Sequence, residues 1–91
     1  MVYYIPKYFK IQELVDPETF AALGTRCWIL FRPELLWTID EIRVFFDRPV
    51  LINNWISGGT LKYRGFRPSS CKVGAKFSQH KFGCAVDFDV R

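Results

Sequence analysis

At 91 residues the chain is one domain long, and 49% hydrophobic with 18% aromatic content excludes a disordered polypeptide. A chain this short buries only about 60–65% of its unfolded surface, so its core is small. No apolar run approaches the ~20 residues a membrane-spanning helix needs. The first residues lack a basic stretch followed by an apolar one, so no secretory signal is expected.

Three cysteines, Cys27, Cys71 and Cys84, are an odd number without C-x-x-C spacing. That is not a disulfide framework and fits synthesis in a reducing compartment. The net charge of +4 is unevenly spread. Residues 1–47 carry five Lys/Arg against seven Asp/Glu, whereas residues 48–86 carry seven Lys/Arg and no acid. The second half therefore presents a positive field to an anionic partner, such as a substrate carboxylate, a wall polymer or a nucleic acid.

In chain order, residues 1–10 form an aromatic segment broken by Pro6. Tyr3, Tyr4, Tyr8 and Phe9 are expected to lie on the core as a lid. Residues 11–15 read as one short helical turn. Asp16-Pro17-Glu18 supplies a helix cap, a first-turn proline and a first-turn acid, and Gly24 ends that helix. A second helix spans 33–46. Leu35, Ile39, Ile42 and Phe46 recur on one stripe, with Leu36 and Phe45 broadening it and Asp40, Glu41 and Arg43 on the wet side. Arg48-Pro49 stops it. Residues 50–55 are a β-rich run, 57–60 a turn, and 61–77 a long basic loop of the kind that carries function in small domains.

The remaining stretch, 78–90, holds the only histidine, His80. Seven residues later Asp87 sits in a run of alternating polarity. Val86, Phe88 and Val90 point one way, and Ala85, Asp87 and Asp89 the other, which predicts a half-buried strand behind a turn at Gly83. Val86, Phe88 and Val90 are expected to pack against the 33–46 helix. An imidazole on a loop and a carboxylate on a strand are ligands of the kind a catalytic zinc takes. Cys84, four residues from His80, is expected to pack as a small buried side chain.

The spacing Ser78-x-His80-x-x-Gly83-x-Ala85-x-Asp87 resembles the signature of the zinc D-alanyl-D-alanine carboxypeptidases. Their relatives include the D-Ala-D-Ala dipeptidases, the L-alanyl-D-glutamate endolysins and the Hedgehog signalling domain. Arg64-Gly65-Phe66-Arg67-Pro68 is similar to the S-G-Y-R-S phrase that precedes the zinc histidine there. A looser likeness covers Tyr8 to Val15, "Y-F-K-I-Q-E-L-V".

The resemblance implies an α+β fold, a small mainly antiparallel sheet with packed helices, lacking the final strands. It implies Zn2+ held by His80 and Asp87. Arg67 would bind a substrate carboxylate or the developing oxyanion, with Ser78 in support. Arg64 stands where the family has serine, and either arginine could carry the arginine's role. The implied substrate is a peptidoglycan stem peptide, in a phage or bacterial wall-processing setting.

The family's third ligand and general base lie in a downstream E-x-x-W-H phrase with no counterpart in these 91 residues. The chain is therefore expected to be C-terminally truncated, to hold zinc weakly or not at all, and to be inactive as it stands. Asp89, Cys84 or Cys71 are substitute ligands on paper. The alternative is a non-catalytic structural or binding module, for instance in a phage virion, whose sheet edge is covered by a partner or a second copy. Residues 61–81, where cations interleave with Tyr63, Phe66 and Phe77, also resemble a single-strand nucleic-acid surface. The zinc motif already accounts for that segment, so nucleic acid is not the expected partner.

Overall fold

The computed structural model describes residues 4–72 and 78–91. Tyr3, Lys76 and Phe77 therefore lie outside the described residues. The fold is a small α+β unit of two helices and a two-stranded antiparallel sheet.

Helix α1 (Pro17–Leu23) forms where the sequence signals it. The fully buried Asp16 carboxylate accepts the Thr19 amide at 3.0 Å and the Thr19 hydroxyl at 2.7 Å. This satisfies a first-turn donor that the helix leaves without a partner. Pro17 occupies the first turn, and Gly24 ends the helix at φ +59°, a conformation a side chain would strain.

Helix α2 (Pro33–Phe46) also has the expected bounds and ends on Asp47 in a left-handed conformation. Its faces differ from expectation at two places. Phe45 is 81% exposed and Phe46 partly so, because the core ends before the helix does. Asp40 is buried, where the wet side was expected. Its carboxylate accepts the Tyr4 hydroxyl at 2.5 Å and the amides of Lys7 at 2.8 Å and Tyr8 at 3.2 Å. The N-terminal segment is thereby latched across α2. Phe9 is buried beneath it and Tyr4 packs on the core, but Tyr8 is half-exposed, with the Arg43 guanidinium 5.5 Å from its ring centre.

Strand β1 (Val50–Leu51) pairs antiparallel with β2 (Asp89–Val90), Val50 opposite Val90 and Leu51 opposite Asp89. Both strands are shorter than the sequence pattern suggests. After Leu51 the chain leaves the ladder and enters a 3-10 turn at Trp55–Ser57. Before Asp89 the Asp87 amide bonds to the Arg64 carbonyl at 2.7 Å, so the loop takes the place of a strand partner. The predicted face survives in part: Val86 and Val90 pack on the core, whereas Phe88 is 37% exposed.

Leu14, Val15, Cys27, Leu36, Ile39 and Ile52 form the dry centre, with Phe9, Trp28, Phe31 and Val50 around it. Burial pushes the Cys27 thiol above its ordinary pKa. No described helix is long and apolar enough to cross a membrane.

Candidate functional site

The site begins with the segment from Asn53 to Arg67. Asn53 follows the apolar run of β1, and its side chain is buried. Its Nδ2 donates to the Val15 carbonyl at 3.1 Å, and its Oδ1 accepts the Arg64 amide at 3.0 Å. Phe66 N–H donates to the Leu14 carbonyl at 2.8 Å, which draws the next turn of chain onto the core. Gly65 lies between these two attachments. A Cβ there would stand 2.2 Å from the Leu14 carbonyl oxygen, so only glycine allows the approach.

His80 sits in a 3-10 turn, Gln79–Phe82, opened by the Ser78 hydroxyl accepting the His80 amide at 3.3 Å. The turn closes on Gly83 at φ +68°, whose missing side chain leaves room for the Leu30 carbonyl. The turn is docked by Arg32 N–H to the Gly83 carbonyl at 3.0 Å and by Arg67 N–H to the His80 carbonyl at 3.1 Å. The imidazole is buried, and its Nδ1 lies 2.8 Å from the Gly65 carbonyl oxygen. A carbonyl accepts only, so Nδ1 carries a proton, and in the neutral ring the lone pair is therefore at Nε2.

That Nε2 is 3.5 Å from Oδ2 of Asp87. Nη2 of Arg67 lies 3.5 Å from the same oxygen, and Nη1 lies 3.5 Å from Ser78 Oγ. The guanidinium is fixed from behind by its Nε donating to the Tyr63 carbonyl at 2.8 Å, and its side chain is only 12% exposed. Four of the five predicted site residues, Arg67, Ser78, His80 and Asp87, thus come together. Arg64 does not join them. Its Nη1 pairs with Asp89 at 3.0 Å, and that bond holds the Asp89 carboxyl below its ordinary pKa. Between the two arginines the sequence left open, Arg67 is the one beside the imidazole.

The substitute ligands are not brought in. Asp89 is engaged by Arg64, and Cys84 is exposed rather than buried, its thiol 3.4 Å from the Phe82 carbonyl. The open position follows from the turn at Gly83, after which the chain runs along the surface toward Asp87. Among the described residues no group of three or more His, Cys, Asp or Glu side chains is placed to hold a metal ion.

The donor pair itself suits a metal. Two ligands on a tetrahedral zinc, each bonded at about 2.0–2.1 Å, stand roughly 3.3 Å apart, close to the 3.5 Å between Nε2 and Oδ2. A backbone carbonyl on the far ring nitrogen is the usual outer support of such a histidine. An open groove of about 530 Å3 lies beside α1, lined by Asp16, Leu23, Leu30, Phe66, Pro68 and Ser69, and none of Arg67, Ser78, His80 and Asp87 lines it.

Sequence reading did not single out Asn53 or the Gly65 carbonyl. A signal for the first exists: an asparagine directly following Val50-Leu51-Ile52 must satisfy a carboxamide at the edge of a core. Comparison with protein-family models, with curated proteins and with solved structures finds no match to this chain.

Proposed function

We propose that this chain is a zinc-metallopeptidase-like domain directed at peptidoglycan stem peptides, with the Hedgehog/DD-peptidase type of fold. The observation that carries the reading is the His80–Asp87 pair, Nε2 to Oδ2 at 3.5 Å, with the imidazole held through Nδ1 and Arg67 alongside. The spacing from Ser78 to Asp87 supports the family resemblance, and the donor geometry supports the chemistry. A metal there would supply Lewis-acid polarisation of a peptide carbonyl.

The chain's own residues have distinct tasks. His80 and Asp87 hold the metal. Arg67, planar and pinned by the Tyr63 carbonyl, lies beside Asp87 and suits a substrate carboxylate or a developing oxyanion. Ser78 fixes the turn that carries His80. Two protein ligands hold zinc weakly, and among the described residues no third ligand and no general base stands beside them. Turnover therefore requires a third ligand and a base in addition to this pair.

Zinc titration by calorimetry, with Co2+ absorption as a second readout, tests this reading. Weak binding that His80→Ala and Asp87→Ala each abolish is the expected result. Binding that survives both substitutions would refute it, and hydrolysis of a muropeptide by the chain alone would refute the count of a missing ligand and base.

One observation favours a second reading, a non-catalytic structural or binding module on the same scaffold. The Arg67 guanidinium already lies 3.5 Å from the Asp87 oxygen that faces His80, so an internal cation can hold the site together without metal. Such a module in a phage particle or at a cell wall would use its surface, including the two-stranded sheet's edges, to meet a partner or a second copy. Zinc binding that His80→Ala leaves unchanged, together with a defined oligomer, is the result this reading expects.

A further inference from the structure

The imidazole of His80 is oriented by a chain of contacts that begins 27 positions earlier in the sequence, at Asn53. The Asn53 carboxamide is 1% exposed and is saturated by two backbone groups, the Val15 carbonyl and the Arg64 amide. From Arg64 onward four backbone groups follow in register. The Arg64 carbonyl takes the Asp87 amide, the Gly65 carbonyl takes the imidazole Nδ1, Phe66 N–H bonds Leu14, and Arg67 N–H bonds the His80 carbonyl. One four-residue segment thus sets the backbone of both proposed ligands and the ring of one. Two attachments hold that segment to the core: Phe66 to Leu14, and Arg64 to Asn53.

The Val15 carbonyl has a second donor, Trp55 Nε1 at 2.7 Å. The Arg64 amide has the Asn53 oxygen. The two ends of the carboxamide are therefore unequal. Losing the donor leaves Val15 served, whereas losing the acceptor frees the start of the segment.

We infer that Asn53 is a positioning residue: its buried carboxamide fixes the 64–67 segment, whose Gly65 carbonyl keeps the His80 proton on Nδ1 and its lone pair on Nε2, toward Asp87. The consequence for metal affinity rests on the reading proposed above. The tautomer does not.

Nitrogen-15 NMR of the neutral His80 ring reads the tautomer directly. The wild-type chain should show a protonated Nδ1 and an unprotonated Nε2. A ring protonated at Nε2 overturns the inference without any variant. Asn53→Ala removes both carboxamide bonds and should shift the ring toward a mixture of tautomers, with zinc affinity about 10- to 100-fold weaker. Asn53→Asp keeps the acceptor for Arg64 and should restore the wild-type ring signals, although it too is less stable than wild type. A purely structural role predicts lower stability in both variants with identical ring signals, and that result also overturns the inference. A wild-type ring with the expected tautomer but no zinc uptake supports the inference and counts against the metal reading alone.

Discussion

Gly65→Ala probes the closest backbone approach in the site. The added methyl would begin 2.2 Å from the Leu14 oxygen, 2.9 Å from its carbonyl carbon and 3.0 Å from its Cα. All three are backbone atoms of a fully buried residue, so no flexible side chain can give way. Reaching ordinary contact requires the segment to retreat by more than about 1 Å. That retreat breaks or stretches three bonds: Phe66 N–H to Leu14 at 2.8 Å, Asp87 N–H to Arg64 at 2.7 Å, and His80 Nδ1 to Gly65 at 2.8 Å. At about 1 kcal/mol each, the loss is roughly 3 kcal/mol. For a domain of this size that lowers Tm by roughly 12–24 °C.

Gly58→Ala is the matched control. Gly58 has φ +94° and nothing within contact range of an added methyl, so its cost of about 1–2 kcal/mol is conformational alone. Thermal unfolding followed by circular dichroism, with NMR of the His80 ring, separates the two variants. Gly65→Ala should lose more stability and move the ring signals, and Gly58→Ala should leave them in place. A Gly65→Ala protein whose Tm falls by less than about 4 °C with unmoved ring signals refutes the reasoning.

Asp40→Ala should unlatch the N-terminal segment at a cost of about 2–4 kcal/mol, since three donors lose a charged acceptor. In the wild type the hydrogen bond to Asp40, with burial, pushes the Tyr4 phenol from 10.0 up to about 12. Its contribution to stability is complete below 10 and fades as pH rises toward 12, and ultraviolet titration should show the phenol returning toward 10 in the variant. Val86→Asp should destabilise by about 1–3 kcal/mol because Val86 packs on the core, whereas Phe88→Asp should stay within about 1 kcal/mol, and equal effects in denaturant melts would contradict the assigned faces. Arg64→Ala should raise the Asp89 carboxyl toward its ordinary range. That group favours the fold above its unfolded pKa and loses its contribution as pH falls through the lower folded value, so carbon-13 titration should show the depression vanish.

Both helices were legible because their signals are local. Asp16, Pro17 and Gly24 specify α1 within nine residues, and Pro33 with the apolar stripe specifies α2. The role of Asp40 was not legible, since its position on the helix reads as wet until a segment more than thirty residues away covers it. The strands failed for the same kind of reason. Alternation in 85–90 states which side chains share a face, but a ladder needs a partner, and Asp87 N–H finds one in the Arg64 carbonyl of a loop. Cys84 was misjudged because composition treats cysteine as buried, while the turn at Gly83 turns the chain outward. The grouping of His80, Asp87, Arg67 and Ser78 was visible as a spacing, yet its support was not. No periodicity marks a glycine carbonyl as the acceptor for an imidazole, or an asparagine as the anchor of the segment bearing it.

The protonation imposed by the Gly65 carbonyl also constrains what His80 and Asp87 are to one another. With the proton on Nδ1, the neutral ring offers Asp87 a lone pair, and the carboxylate offers lone pairs in return. Two acceptors facing each other 3.5 Å apart do not attract; the arrangement is stabilised by a positive charge shared between them. Three sources of that charge are at hand: a second proton on the ring, the Arg67 guanidinium, or a metal ion. Arg67 reaches Oδ2 at 3.5 Å, with its Nε tied to the Tyr63 carbonyl at 2.8 Å. A ring proton would join Nε2 to Oδ2, beside Arg67 on the same carboxylate, which is 56% exposed. A metal ion held by His80 and Asp87 would likewise meet the lone pairs of both groups. Zinc uptake that His80→Ala abolishes would favour the proposed metal, and its absence would leave the His80–Asp87 pair, with Arg67 on the same oxygen, to hold the turn and the strand together.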